Sequence, residues 1–184
     1  TANSDDGEEI SVPNFAGENC VYEPAVARFL GYSVEIEFCR VDPGLISLLT
    51  GQAVVANPDT GDYEGFRVNS DVSALDSAFA LELWTGTPGV QCAEDSVGGT
   101  AGGYMLLPYL QGGIFGDFTV ENAEVTFTVT GASTKTGSGW GVGPYDVVPG
   151  PGGAASALAT PILSGDHLHT QFTDVAPPTD FCGI

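Results

Sequence analysis

The chain contains a ten-residue stretch, 32–41, in which apolar and polar side chains alternate. Alternation with a period of two is typical of a β-strand with one buried face and one face in water. We therefore predict a half-buried strand whose wet face carries two carboxylates. The two predicted faces are Val34, Ile36 and Phe38, and Glu35, Glu37 and Cys39.

The hydrophobic period changes directly after this strand. Asp42 is a good N-cap, Pro43 suits the first helical position, and Gly51 suits the position just past a helix end. These signals predict a helix over Asp42–Thr50. Because the helix follows a strand, we expect its apolar face to plug one end of a β core. The residues of that face are Leu45, Ile46, Leu48 and Leu49.

Further strands are predicted on both sides of the helix. Val54–Val55 and Glu64–Val68 flank the turn-forming sequence 57–62, which predicts a hairpin. Phe79–Trp84 alternates, and its odd-numbered positions are expected to point inward. A short strand is also expected at Ile10–Val12.

The second half of the chain carries three more strand patterns. Tyr104–Leu110 is apolar but contains Pro108, which predicts an edge strand or two short pieces. Asp117–Thr130 is the longest strand signal, and its apolar positions change parity partway, which predicts a bulge near residues 121–123. Asp166–Val175 alternates once more.

Glycine (26) and proline (12) are spread along the whole chain, which favours short strands joined by turns. We predict an all-β fold, an antiparallel β-sandwich or small barrel of about eight strands with one short α-helix. A single domain is expected over residues 1–184, with 1–19 as an acidic lead-in and 176–184 as a C-terminal tail. The start without Met, inside an acidic stretch, suggests a longer or processed protein.

The charge of the chain limits its partners. Four basic residues stand against 24 acidic ones, and the formal net charge is −20. Sustained binding to a phosphate backbone needs several Lys or Arg contacts, and an anionic membrane surface repels an acidic chain. No apolar run approaches the ~20 residues of a membrane span. We therefore expect neither a tight nucleic-acid ligand nor a membrane partner.

The four cysteines form no C-x-x-C pair, which disfavours zinc ribbons and thioredoxin-like redox motifs. Four cysteines allow three disulfide pairings, and their spacing does not choose among them. Two alternatives therefore stay open: mostly free thiols, or one disulfide bond between two of the cysteines. The residues are Cys20, Cys39, Cys92 and Cys182.

No catalytic constellation is present in the sequence. His167 and His169, two apart on a strand, share one face and could hold a metal with a third ligand, although two polar residues on a wet face are the commoner case. The sequence around Ser138 lacks the register and the strand-to-helix context of a nucleophile elbow. We predict a protein without enzymatic activity, bound metal or cofactor.

Five segments resemble the major tail protein of long-tailed bacteriophages that infect actinobacteria. The similarity covers most of the chain from about Glu8 onward, and it lies in the order and spacing of the segments. Relatives carry more sequence before the acidic stretch, so an N-terminal arm or strand is expected to be missing here. The segments are Val34–Gly51, Phe79–Gly86, Tyr104–Gly131, Trp140–Val148 and Asp166–Pro178.

The resemblance implies a subunit of the tail tube, a structural virion protein assembled in the cytoplasm of the host bacterium. Such subunits form rings, usually hexameric, that stack into a hollow tube through which double-stranded DNA passes as cargo. The implied partners are other copies of the chain and the tail proteins at the tube ends. We expect carboxylates on polar strand faces to line the tube interior. These candidates are Glu35, Glu37, Glu82 and Glu124.

Two loop-like segments, 85–103 and 134–157, are candidates for contacts between rings. The second contains Trp140 and Tyr145, which we predict to take part in contacts between subunits. The alternative function is a capsid decoration or adhesin-like β-sandwich that binds a host or virion partner. That alternative predicts a surface cluster of aromatic side chains, for which Trp140 and Tyr145 are the candidates.

Overall fold

A computed structural model of the chain describes residues 1–38, 42–85, 102–121, 124–135, 137, 139–151 and 154–175. It is an all-β fold with one α-helix, as predicted. The single helix is α1 (Pro43–Thr50), and a 3-10 turn spans Ala74–Asp76. The strands are β1 (Ala2–Asp5), β2 (Ile10–Pro13), β3 (Asn19–Glu23), β4 (Arg28–Phe38), β5 (Ala53–Ala56), β6 (Tyr63–Arg67), β7 (Ala78–Thr85), β8 (Gly102–Gln111), β9 (Ile114–Glu121), β10 (Glu124–Thr134), β11 (Val148–Pro149), β12 (Ala155–Ser156) and β13 (His169–Thr173).

Seven strands form one antiparallel sheet in two arms. One arm contains β1, β4, β10 and β9, and the other contains β7, β8 and β13. The arms meet where the end of β10 pairs with the end of β8, at Ser133–Gln111 and Thr134–Leu110. Side chains of both arms pack in one core, in which Leu107 and Leu110 meet Val129. The sheet therefore folds over itself into two layers around this core.

The helix closes one end of the core, as its position after β4 predicts. Asp42 caps it, since its Oδ1 accepts a hydrogen bond from the Leu45 N–H at 3.1 Å, and Gly51 follows in the left-handed conformation. Ile46 and Leu49 are buried, and Leu45 packs against the core. Leu48 corrects the prediction, because 56% of it is exposed. Its position lies on the outer side of this two-turn helix, where no sheet covers it.

Strand β8 is central and unbroken, so the prediction of an edge strand or two short pieces is wrong. On one side, β8 pairs with β7. On the other side, β8 pairs with β13 up to Leu106 and with β10 from Leu110 onward. Pro108 lies between these two partners, at the register shift opposite β7. A proline without an N–H is tolerated there because no ladder bond is needed at that point.

The predicted long strand over Asp117–Thr130 is two strands, β9 and β10, which pair antiparallel, so the prediction of one strand with a bulge is wrong. Residues 122 and 123 lie outside the described part of the chain. Glu121 pairs with Glu124, and Phe118 pairs with Phe127. The apolar parity changed because the chain reverses direction. The turn was missed because the sequence between the strands contains no glycine or proline, the usual signals of a hairpin turn.

The first nineteen residues contain more structure than the expected acidic lead-in. β1 extends the sheet along β4, with Ala2 opposite Tyr32 and Asp5 opposite Arg28. The N-terminal amine of Thr1 donates a hydrogen bond to the Ser33 carbonyl at 2.7 Å. The predicted strand at Ile10–Val12 is confirmed as β2, and its partner β3 was not predicted.

Two other predictions are confirmed. The hairpin after the helix is formed by β5 and β6, and the Asn57 side chain stabilises its turn by accepting a hydrogen bond from the Asp59 N–H at 2.8 Å. The alternation of β4 holds up to Phe38, and residues 39–41 lie outside the described part of the chain. No helix in the described residues is long and apolar enough to cross a membrane.

Candidate functional site: an acidic sheet face, two open edges and an apolar groove

The outer face of the arm formed by β4, β10 and β9 carries two exposed carboxylates. Glu35 and Glu37 alternate with core-facing residues of β4, and Glu37 lies directly opposite Thr128 of β10. Neither carboxylate makes a hydrogen bond or an ion pair within the described part of the chain. Two unpaired carboxylates two residues apart on one strand make this face locally negative.

The neighbouring positions on this face add no positive charge. Thr119 and Thr126 pair across β9 and β10, and Asp117 adds a further carboxylate. The sequences of β9, β10 and residues 33–38 contain no Lys or Arg. This face can therefore repel a polyanion but has no group that would hold one.

Glu82 does not belong to the same face. It lies on β7 opposite Leu106, on the side of the other arm that carries a second buried cluster. The Tyr104 hydroxyl donates a hydrogen bond to Glu82 Oε1 at 2.9 Å. Burial raises the pKa of Tyr104 well above its ordinary 10.0, and the hydrogen bond to Glu82 and the Glu82 charge raise it further. Among the predicted interior carboxylates whose side chains the structure describes, Glu35 and Glu37 lie together and Glu82 lies apart.

Glu124 takes its place at the start of β10, where its backbone pairs with Glu121. Its side chain lies outside the described part of the structure.

Both outer edges of this arm are open in the described residues. β9 pairs with β10 alone, and β4 over residues 34–38 also pairs with β10 alone. Phe118 and Val120 of β9 are each 64% exposed, although they continue the apolar face on which Phe127 is buried. An exposed edge strand with apolar side chains is a natural place for another strand to pair.

An apolar groove of about 430 Å³ lies under the open edge of β4, between β4 and the arm formed by β7 and β8. Most of its lining side chains are aliphatic or aromatic. They include Tyr32, Val34, Ile36, Leu83, Met105 and Leu168.

Within the described residues 139–151 and 154–163, four side chains pack on the outer side of the β7–β8 arm, and this changes the interpretation of the aromatic residues. The four are Tyr145, Val147, Leu158 and Ile162. Tyr145 is only 3% exposed and packs with Tyr104 and Leu106 of β8, so it cannot form a surface contact between subunits. Trp140 is 66% exposed. The predicted aromatic surface cluster is therefore wrong, because Tyr145 is used in the protomer's own second core.

The two histidines do not meet at a common site. His167 Nδ1 lies 2.8 Å from Thr134 Oγ1, and His169 Nε2 lies 3.0 Å from Gln171 Oε1. The described residues contain no group of three or more His, Cys, Asp or Glu side chains that could hold a metal ion. Cys20 is an exposed free thiol, and Cys39, Cys92 and Cys182 lie outside the described residues.

Comparison of the chain with protein-family models, with curated proteins and with solved structures found no match.

Proposed function

We propose that the chain is a structural subunit that assembles with copies of itself into stacked, hollow rings, the tail tube of a bacteriophage. The observation that carries this proposal is the pair of open edges on one acidic arm of the sheet. If β9 of one copy pairs with β4 of the next, the acidic arms join into a closed ring, and both open edges of this arm find a partner.

Ring closure also accounts for the exposed apolar side chains of β9. Phe118 and Val120 extend past the protomer's own core, and a neighbouring copy at this edge would cover them. Burial of apolar area is the general driving force of such assembly. A lone subunit leaves both residues in water.

The acidic face suits the wall of a channel for DNA. Six copies would carry a formal charge of about −120, six times the −20 of one chain. With Glu35 and Glu37 facing the channel, phosphates are repelled along its length, and the DNA slides without binding. A basic wall would add affinity by counterion release and would hold the DNA. Double-stranded DNA is then a transient cargo and not a ligand.

The proposed location is the phage tail, after assembly in the host cytoplasm. The proposed partners are further copies of the chain and other tail proteins at the tube ends. The proposed function is structural, so it involves no catalysis and requires no cofactor.

Electron microscopy of the purified protein in negative stain tests the assembly. We expect hollow rings or tubes of constant diameter as the protein concentration rises. Particles that stay monomeric over the whole concentration range would refute the proposal. A preparation at higher salt serves as a second condition, because screening reduces repulsion between such acidic subunits.

Reversal of the two carboxylates tests the channel wall. We expect Glu35→Lys combined with Glu37→Lys to produce assembled tubes that retain double-stranded DNA in a salt-sensitive way, whereas wild-type tubes do not. Asp59→Lys combined with Asp62→Lys is the matched control, because it changes the net charge equally on the β5–β6 turn. Equal DNA retention by both double variants would show that net charge, and not the channel face, is responsible.

A further inference from the structure

A projecting hairpin arm is the least covered part of the described chain. It consists of residues 8–27, and all of them are exposed except the half-buried Asn14. Its strands β2 and β3 pair with each other and pack substantially on no other described element. An isolated two-stranded hairpin is at best marginally stable in water. This arm therefore has the properties of an element that gains a partner on assembly.

The base and the tip of the arm are both well defined. At the base Gly7 adopts φ +73°, and a Cβ there would lie 2.8 Å from the Val26 backbone, so the two limbs pass in close contact. At the tip Asn14 Oδ1 accepts hydrogen bonds from the N–H groups of Ala16 and Glu18, at 2.8 and 3.0 Å. This turn presents Phe15 with its side chain fully exposed. Because the backbone of this turn is already fixed by hydrogen bonds, docking of Phe15 needs to order only its side chain, which lowers the entropic cost of binding.

The arm does not fill the apolar groove of its own chain. The arm joins the sheet at Arg28, the first residue of β4, and the groove is lined from Tyr32 to Glu37 further along this strand. Val34 is six residues beyond Arg28, which corresponds to about 20 Å at ~3.3 Å per residue. Phe15 is fully exposed and β2 and β3 pack substantially on no other described element, so the arm leaves its own groove free for another molecule.

We propose that the arm of one copy docks into the apolar groove of a second copy, with Phe15 as the anchor, to form a head-to-tail contact. This contact is distinct from the edge-to-edge pairing that would close a ring. A head-to-tail interface uses two different surfaces of the same chain, so it propagates along an axis.

Apolar character and size favour a second copy as the occupant. Residues 10–17 contain no charged side chain and present Ile10, Val12 and Phe15 in exposed positions, which suit the mostly apolar lining of the groove. The four carboxylates of the arm lie outside this segment, so only its strand β2 and its tip can enter between Glu35 and Glu37. The arm has 20 residues, counted from 8 to 27, and one side of a standard protein interface contributes about 20–30. The arm alone is thus large enough to supply one side of a stable contact.

A photo-crosslinking experiment tests the contact directly. Benzoylphenylalanine at position 15 is introduced into the full chain, and isotopically heavy and light proteins are mixed before irradiation. We expect heavy–light cross-links from position 15 to groove peptides containing Leu83 or Met105. The same probe at Leu163, which is 63% exposed and does not line the groove, is the control and should give no heavy–light groove cross-links. Cross-links within single chains only, or to other surfaces, would overturn the proposal.

Two substitutions on opposite sides of the contact give a second test. Phe15→Ser and Leu83→Asp should each weaken concentration-dependent self-association in sedimentation experiments, by roughly 10- to 100-fold for the loss of one buried aromatic anchor. Leu163→Ser, at an exposed position outside the groove lining, should leave self-association unchanged. Self-association equal to wild type in Phe15→Ser would contradict the proposal, and melting temperatures will show whether either variant is simply unfolded.

The outcomes separate this contact from the proposed function. Hollow rings without arm-to-groove cross-links would refute the arm contact and leave ring assembly supported. Cross-linked head-to-tail chains that never close into rings would support the arm contact and refute the tail tube.

Discussion

The hydroxyl of Tyr104 donates a hydrogen bond to the Glu82 carboxylate across β7 and β8, at 2.9 Å. Tyr104 is fully buried in the second cluster, and Glu82 is at the exposed border of that cluster. This pair fixes the face on which Glu82 lies and separates it from Glu35 and Glu37. The carboxylate that looked equivalent to them in the sequence is thus a structural partner of a buried tyrosine.

The first prediction concerns stability at alkaline pH. The pKa of Tyr104 is raised in the folded protein by burial and by Glu82, so the unfolded chain loses this proton first as the pH rises above about 10. Its stabilising contribution is complete below that pH and is lost above it. The free energy of unfolding should fall by about 1.4 kcal/mol per pH unit for this proton.

Denaturant unfolding at several pH values between about 9 and 11 measures this effect. The additional alkaline loss should disappear in Tyr104→Phe, which at neutral pH should cost about 1 kcal/mol through the lost hydrogen bond. Tyr63→Phe is the control because Tyr63 is 59% exposed. An alkaline loss of the same slope in Tyr104→Phe and wild type would contradict the assignment.

The second prediction concerns Gly31, which has φ +132° in β4. A Cβ at this position would lie 2.6 Å from Thr134 Oγ1, and that oxygen already accepts the Tyr32 N–H at 2.8 Å. Gly31→Ala should therefore lower the free energy of unfolding by about 2–3 kcal/mol. Thermal denaturation followed by circular dichroism measures the loss.

Gly17→Ala is the matched comparison for Gly31→Ala. Gly17 also has a positive φ, +85°, but no atom lies within 4 Å of its would-be Cβ. The backbone strain alone should cost about 1 kcal/mol. If both variants lose the same free energy of unfolding, the contact with Thr134 does not contribute to the cost of Gly31→Ala.

The third prediction concerns the helix cap. Asp42→Ala removes the acceptor for the Leu45 N–H and should destabilise the protein by about 1 kcal/mol. Asp42→Asn should retain most of the stability, because asparagine is an equally good cap. Chemical denaturation of both variants measures the difference, and Asp59→Ala in the β5–β6 turn serves as a charge-matched control. If Asp59→Ala lowers the free energy of unfolding as much as Asp42→Ala does, the effect is due to the lost charge and not to the helix cap.

The fourth prediction concerns the open edge of β9. Phe118→Ser combined with Val120→Ser should lower the monomer's free energy of unfolding by only about 1 kcal/mol, since 64% of each side chain is already exposed to water. Ring formation should nevertheless be lost, because the proposed lateral contact buries these residues. Leu163→Ser, also at an exposed position, is the control. Normal rings in the double variant, observed by negative-stain microscopy, would place the lateral contact elsewhere.

The sequence was sufficient for features that depend on neighbouring residues. The alternation around Glu35 and Glu37 predicted a half-buried strand, since side chains alternate between the faces of any extended strand. Asp42 and Gly51 predicted both ends of the helix, because caps satisfy backbone groups within a few residues. Turn chemistry at Asn57 predicted the β5–β6 hairpin for the same local reason.

Tertiary structure alone decided the features that depend on distant partners. Pro108 occupies a central strand because two different strands, β13 and β10, pair on either side of it. Tyr145 and Leu48 both lie in segments where the sequence alone does not fix exposure, yet Tyr145 is buried against β8 and Leu48 faces water. Glu82 and Glu35 occupy equivalent places in an alternating pattern, and only the folding of the sheet over itself puts them on different surfaces. Period and caps are short-range properties of the chain, whereas the face, edge or groove to which a residue belongs is set by strand pairing between segments far apart in sequence.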